Sequence, residues 1–114
     1  MKKFCLALDL KNDPELIHQY ETYHQSENAW PEVTQSILDS GIQNMEIYRT
    51  GNRLFMIMET DDDFDFGRKQ QMDQCNAKVI EWEALMSGFQ LPLSWSATNE
   101  KWVQMSRIYQ LTSV

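Results

Sequence analysis

Residues 42–60 read IQNMEIYRTGNRLFMIMET, and this stretch narrows the choice of fold more than any other in the chain. Ile42–Thr50 and Arg53–Thr60 are strand-like runs, and Gly51-Asn52 between them is a two-residue connection of the kind that closes hairpins. The segment therefore reads as an antiparallel hairpin. Met45, Ile47, Leu54, Phe55, Met56, Ile57 and Met58 supply its apolar positions. A hairpin apolar on both faces needs cover on both sides.

The flanking segments supply that cover on one side. Lys3–Leu10 alternates Phe4, Leu6, Leu8 and Leu10 with Lys3, Cys5, Ala7 and Asp9, the period of a strand. Asn12-Asp13-Pro14-Glu15 then offers an N-cap, a proline for the first helical turn and an acid, so a helix starts near Asp13. Leu16, Ile17, Tyr20, Tyr23 and His24 share one broad face of it. A second short helix is expected over Glu32–Asp39, with Val33, Ile37 and Leu38 inward and a stop at Gly41. After the acidic run Asp61–Asp65, helical spacing passes through Phe66, Met72, Val79, Ile80, Trp82, Leu85, Met86 and Phe89, with a break near Cys75 and Asn76, until Gly88 and Pro92 end it. Trp102–Leu111 reads as a last strand.

The order β-α-β-β-α-β predicts an α+β, ferredoxin-like domain over residues 1–114, with both helical layers on one face of an antiparallel sheet. The other face keeps the apolar residues of the first strand and the hairpin. Two such sheets packed face to face would cover them, so a homodimer is expected.

Composition removes several functions. Ten basic and seventeen acidic side chains leave a net charge of −7, which repels phosphate backbones and argues against nucleic acid. No apolar run is long enough to span a membrane, and the N-terminal apolar stretch is too short for a signal sequence, so a cytoplasmic protein is expected. Cys5 and Cys75 stand far apart and outside any metal-binding spacing. The acidic run Asp61–Asp65 fits a solvated turn and helix cap better than a cation site. Glycine-rich phosphate loops, Ser-His-Asp arrangements and paired metal-ligand motifs are all missing. Any chemistry then rests on proton transfer, without metal or organic cofactor.

Tyr20 and His24 lie four residues apart, so a helix brings their side chains together. Histidine exchanges protons near neutral pH, although a lone histidine is commonly only a surface or satisfied interior residue. His18, six residues before His24, faces away and is assigned to solvent. Trp30 precedes Pro31, which holds it extended, either as a loop anchor or as a pocket wall. Trp82 and Met86 are spaced as core residues, yet an indole also stacks on the C–H face of a sugar.

Taken in order, Tyr20-x-x-x-His24, Trp30-Pro31-Glu32, GIQNMEIY, LFMIME and Trp82-x-x-x-Met86 resemble the L-rhamnose mutarotase family over roughly residues 1–90. The resemblance implies a small cytoplasmic sugar isomerase, dimeric through its sheets as an α/β barrel, acting on a monosaccharide. It implies His24 as the catalytic proton donor, Tyr20 as a substrate-binding residue and Trp82 as the first of two tryptophans lining the sugar site, with Trp30 a further wall. Glu83 stands where the second tryptophan is expected, and Met45 where a rhamnose enzyme has a substrate-contacting tyrosine. The His24–Trp30 interval is two residues longer than in typical rhamnose enzymes. These differences leave the sugar open between L-rhamnose and a related deoxy-sugar such as L-fucose. Two other functions suit the same architecture: a dimeric module that only binds a small ligand, and a dimeric α/β-barrel monooxygenase.

Overall fold

The computed structural model describes residues 1–111. It contains β1 (Lys2–Leu10), α1 (Pro14–Tyr23), a 3₁₀ turn (Ser26–Asn28), α2 (Pro31–Asp39), β2 (Ile42–Thr50), β3 (Arg53–Thr60), α3 (Phe66–Gln74), α4 (Ala77–Ser87), β4 (Gln90–Leu91) and β5 (Val103–Gln104). The sheet runs β2-β3-β1-β4, and β5 also pairs with β1. Every one of these pairings is antiparallel. This is an α+β fold of ferredoxin-like order.

The hairpin forms with the expected bounds, its register closing on Thr50 opposite Arg53. Gly51 takes φ 55°, a left-handed turn conformation that glycine adopts without steric cost. In β1 and β3 the alternation becomes two faces. Leu6, Leu8, Leu10, Leu54, Met56 and Met58 are buried beneath the helices, while Cys5, Ala7, Phe55 and Ile57 are half-buried on the opposite face.

Helix starts follow the capping residues. Asp13 accepts hydrogen bonds from the backbone N–H groups of Glu15 (2.9 Å) and Leu16 (3.2 Å), and Asn76 caps α4 in the same way through Lys78 and Val79. The break expected near Cys75 is real: α3 ends there and α4 begins with its own cap.

Two expectations need correction. Leu38 is 53% exposed, whereas Ser36 and Ser40 are buried. α2 is rolled so that Val33, Ser36, Ile37 and Ser40 face inward, where small serines let it approach β2 and α4, and Leu38 lies off that face. The last strand is far shorter than Trp102–Leu111. Only Val103 and Gln104 pair with β1, opposite Ala7 and Leu6, followed by one bond from the Met105 N–H to the Cys5 carbonyl. Ile108, Tyr109 and Leu111 beyond it are strongly exposed, so a strand-like pattern there finds no sheet edge in its own chain. The fourth strand of the ferredoxin-like order is thus split: β4 pairs with Asp9 and Leu10, residues 92–102 leave the sheet, and β5 returns to it.

The core has two ends. Leu6, Ile42, Met56, Met58 and Phe64 form one cluster, and Leu10, Tyr20, Leu54, Met86 and Phe89 form the other. The second meets the C-terminal end of α1 and the inner side of α4.

Candidate active site

α1 ends at Tyr23, and His24 is its C-cap residue, φ −94° and ψ 0°. The last carbonyls of a helix have no intrahelical partner. His24 uses one: its Nδ1 lies 2.7 Å from the Tyr20 carbonyl oxygen. A carbonyl can only accept, so Nδ1 carries the proton and donates it. Nε2 of the neutral ring is then left with its lone pair.

The imidazole lies over the Tyr20 ring, centroids 4.3 Å apart and planes tilted by 33°. Trp82 of α4 meets it edge-on at 5.4 Å, and Trp30 meets Trp82 at 5.2 Å. Tyr23 and Phe89 complete the wall, each ring within 6.3 Å of another member. The four residues singled out in the sequence, Tyr20, His24, Trp30 and Trp82, therefore form one aromatic cluster.

The segment between His24 and Trp30 is folded rather than looped out. Ser26–Asn28 makes its 3₁₀ turn, and the Asn28 side-chain amide donates to the Thr22 carbonyl at 2.9 Å, which also accepts the Gln25 N–H, tying the segment to the end of α1. Trp30 is extended, as Pro31 requires, and its carbonyl accepts the N–H groups of Val33 and Thr34, each at 3.1 Å. The backbone at Trp30 thus caps α2 while its ring reaches Trp82.

Electrostatics separate the two titratable groups. Burial pushes the Tyr20 phenol up to about 12; the neighbouring Gln90 amide opposes this and the Glu83 carboxylate adds to it. Tyr20 stays a neutral hydroxyl at physiological pH. His24 keeps an exposed outer edge, but the surrounding aromatic atoms desolvate the ring and lower its pKa from the ordinary 6.5, while its bond to the Tyr20 carbonyl works the other way. Desolvation wins, which favours the neutral imidazole at pH 7.

Gln90 escaped the sequence reading. It stands opposite Leu10 on the helix-covered side of the sheet, 7% exposed, and its Oε1 has no hydrogen-bond partner. A single glutamine between Phe89 and Leu91 carries no periodic signal; only the pairing with Leu10 turns it inward. An unpartnered buried acceptor costs about 1–3 kcal/mol. His18 is exposed, as expected, and lines a separate surface cleft with Glu21 and Arg49. Among the described residues no three His, Cys, Asp or Glu side chains are grouped to hold a metal ion.

The family model described as L-rhamnose mutarotase matches residues 3–111. The chain belongs to the L-rhamnose mutarotase family. Members are isomerases acting on sugars, and this chain is a sugar mutarotase by that membership. An L-fucose mutarotase from Xanthomonas campestris pv. campestris is 42% identical over 112 residues, covering 98% of this chain and 90% of that protein. A UPF0734 protein from Dictyostelium discoideum is 39% identical, covering 96% and 90%. Among solved structures, an L-rhamnose mutarotase from Formosa agariphila superposes with a TM-score of 0.70 at 16% identity, covering 98% of this chain and all of that one. Tetracenomycin F2 cyclase from Streptomyces glaucescens, a type-II polyketide cyclase, superposes with a TM-score of 0.62 at 12% identity over the full length of both. At these identities the structural matches speak for the fold of the mutarotase family, the dimeric α/β-barrel type, and the cyclase shows that the same fold serves other chemistry. No helix among the described residues is long and apolar enough to cross a membrane.

Proposed function

We propose that the chain, one domain over residues 1–114, interconverts the α and β pyranose anomers of a 6-deoxy-hexose in the cytoplasm, with L-fucose the preferred sugar and L-rhamnose the second. The preference for L-fucose is supported by the 42% identity to the Xanthomonas enzyme and by Met45 and Glu83, which replace aromatic residues of the rhamnose pattern. The observation that carries the mechanism is the anchored imidazole. With Nδ1–H held on the Tyr20 carbonyl, Nε2 is the free basic atom of a ring stacked on a neutral phenol.

In this mechanism Nε2 removes the C1 hydroxyl proton as the bond between C1 and the ring oxygen breaks, giving the open-chain aldehyde. The Tyr20 hydroxyl donates a hydrogen bond that steadies the charge developing on the ring oxygen, until the imidazolium returns the proton there. Rotation about C1–C2 presents the other carbonyl face, and closure runs the same transfers in reverse. No proton is gained or lost overall. Trp82 and Trp30 offer indole faces to the sugar's C–H groups. General acid–base catalysis of this kind typically contributes about 10²–10⁴-fold.

Saturation-transfer NMR of anomer exchange over L-fucose, L-rhamnose and common hexoses tests the reading. Catalysed exchange, fastest with L-fucose, is the expected result; exchange no faster than in buffer for every sugar contradicts it.

The active form is proposed to be a homodimer. Ala7, Tyr48, Phe55 and Met105 line an apolar cleft on the helix-free side of the sheet, a surface that a second sheet covers naturally. Light scattering should return twice the 13.5 kDa chain mass; a monomer mass at micromolar concentration rules this out.

A further inference from the structure

Four polar side chains are buried among the described residues: Ser36, Ser40, Thr60 and Gln90. Three of them close on a nearby carbonyl, Ser36 on Val33 at 2.9 Å, Ser40 on Ile37 at 2.6 Å and Thr60 on Asp61 at 2.9 Å. Each is complete without a ligand. Gln90 is the exception. It is 7% exposed, its Oε1 has no partner, and its amide neighbours the Tyr20 phenol at the base of the aromatic cluster.

Buried amides are normally satisfied, and one that is not calls for a reason. The surroundings are largely apolar: Gln90 stands opposite Leu10 and beside Tyr20, both members of the buried cluster that also holds Met86 and Phe89, and a methionine is close to glutamine in length. A sugar, in contrast, arrives with several hydroxyl donors. The terminal torsion of a glutamine is broad, so the amide can turn its oxygen toward the cluster without moving the backbone.

We propose that Gln90 is a substrate-contacting, specificity-determining residue: its Oε1 accepts a hydrogen bond from a ring hydroxyl of the sugar, beside the hydroxyl of Tyr20. The inference rests on the mutarotase reading above. It makes Gln90 a selector among hydroxyl patterns rather than a proton carrier. A site built to receive a hydroxyl discriminates strongly against an analogue that lacks it, because its own polar group is then left unpaired.

The test compares wild type with Gln90→Met and Gln90→Leu, measuring Tm together with KM and kcat for anomer exchange. Tm should hold or rise, KM should increase about tenfold and kcat should stay within about threefold. Across single-deoxy analogues of the preferred sugar, one analogue should weaken binding to wild type about tenfold and lose nothing further in Gln90→Met. An unchanged KM in both variants overturns the assignment, and two variants that fail to fold assign Gln90 to packing and overturn it equally. If wild type is active and Gln90→Met keeps its KM, only this inference falls; if wild type is inert on every sugar, the mutarotase reading falls with it.

Discussion

The two ends of the core lie under the same sheet and are built differently. At one end Leu6, Ile42, Met56, Met58 and Phe64 pack with Phe4 and Phe66 in edge-to-face and tilted ring pairs, and the buried hydroxyls nearby, Ser40 and Thr60, bond to local carbonyls. At the other end Leu10, Leu54, Met86 and Phe89 share their space with Tyr20, His24 and Gln90, whose polar atoms are not all used by the fold. An apolar end with satisfied hydroxyls stabilises the molecule and has nothing left to offer a ligand. The end that keeps a raised phenol, a desolvated imidazole and an unpartnered amide gives up some stability and keeps groups for chemistry.

That contrast is open to being broken. Phe64 is 5% exposed and contacts both Phe4 and Phe66, so Phe64→Ala should cost about 3–5 kcal/mol of unfolding free energy in urea titrations. The exchange rate per folded molecule should stay within about twofold. A large fall in that rate would mean the two ends are not separable.

His24→Gln should show the reverse and the smaller stability effect, about 1 kcal/mol at pH 7 for the lost bond to the Tyr20 carbonyl. The pH dependence has a definite sign. His24 has a lower pKa folded than its ordinary 6.5, so the unfolded chain binds more protons between the two values. The stability contributed by the neutral ring is present above 6.5 and is lost as pH falls through the folded value. His24→Gln should flatten that acid-side slope, and an unchanged slope would assign it to other groups.

Much of the scaffold was legible because its signals are local. Period-2 runs, a Gly-Asn connection, the cap at Asp13 and the break near Cys75 and Asn76 act over a few residues, and the structure keeps their positions. The failures are cases where a distant neighbour decides. Residues 106–111 have a strand's composition but no edge to join, and Leu38 faces out because α2 rolls its serines against β2 and α4. The proximity of Tyr20, His24, Trp30 and Trp82 came from helical spacing, the pre-proline geometry and a resemblance that supplied the order of the motifs. Gln90 was invisible because its placement depends on pairing with a strand eighty residues away by roughly that separation, between Leu10 and Gln90.

The most direct test of the claim that chemistry sits at the polar end is the pH profile of kcat/KM for L-fucose anomer exchange, wild type against His24→Gln. With His24 as the base, the wild-type rate should be full above about pH 6.5 and fall as pH drops through the lowered pKa. His24→Gln should lose about 10²-fold or more at pH 7 and show no such limb. Equal rates and the same acid limb in both proteins would contradict the account.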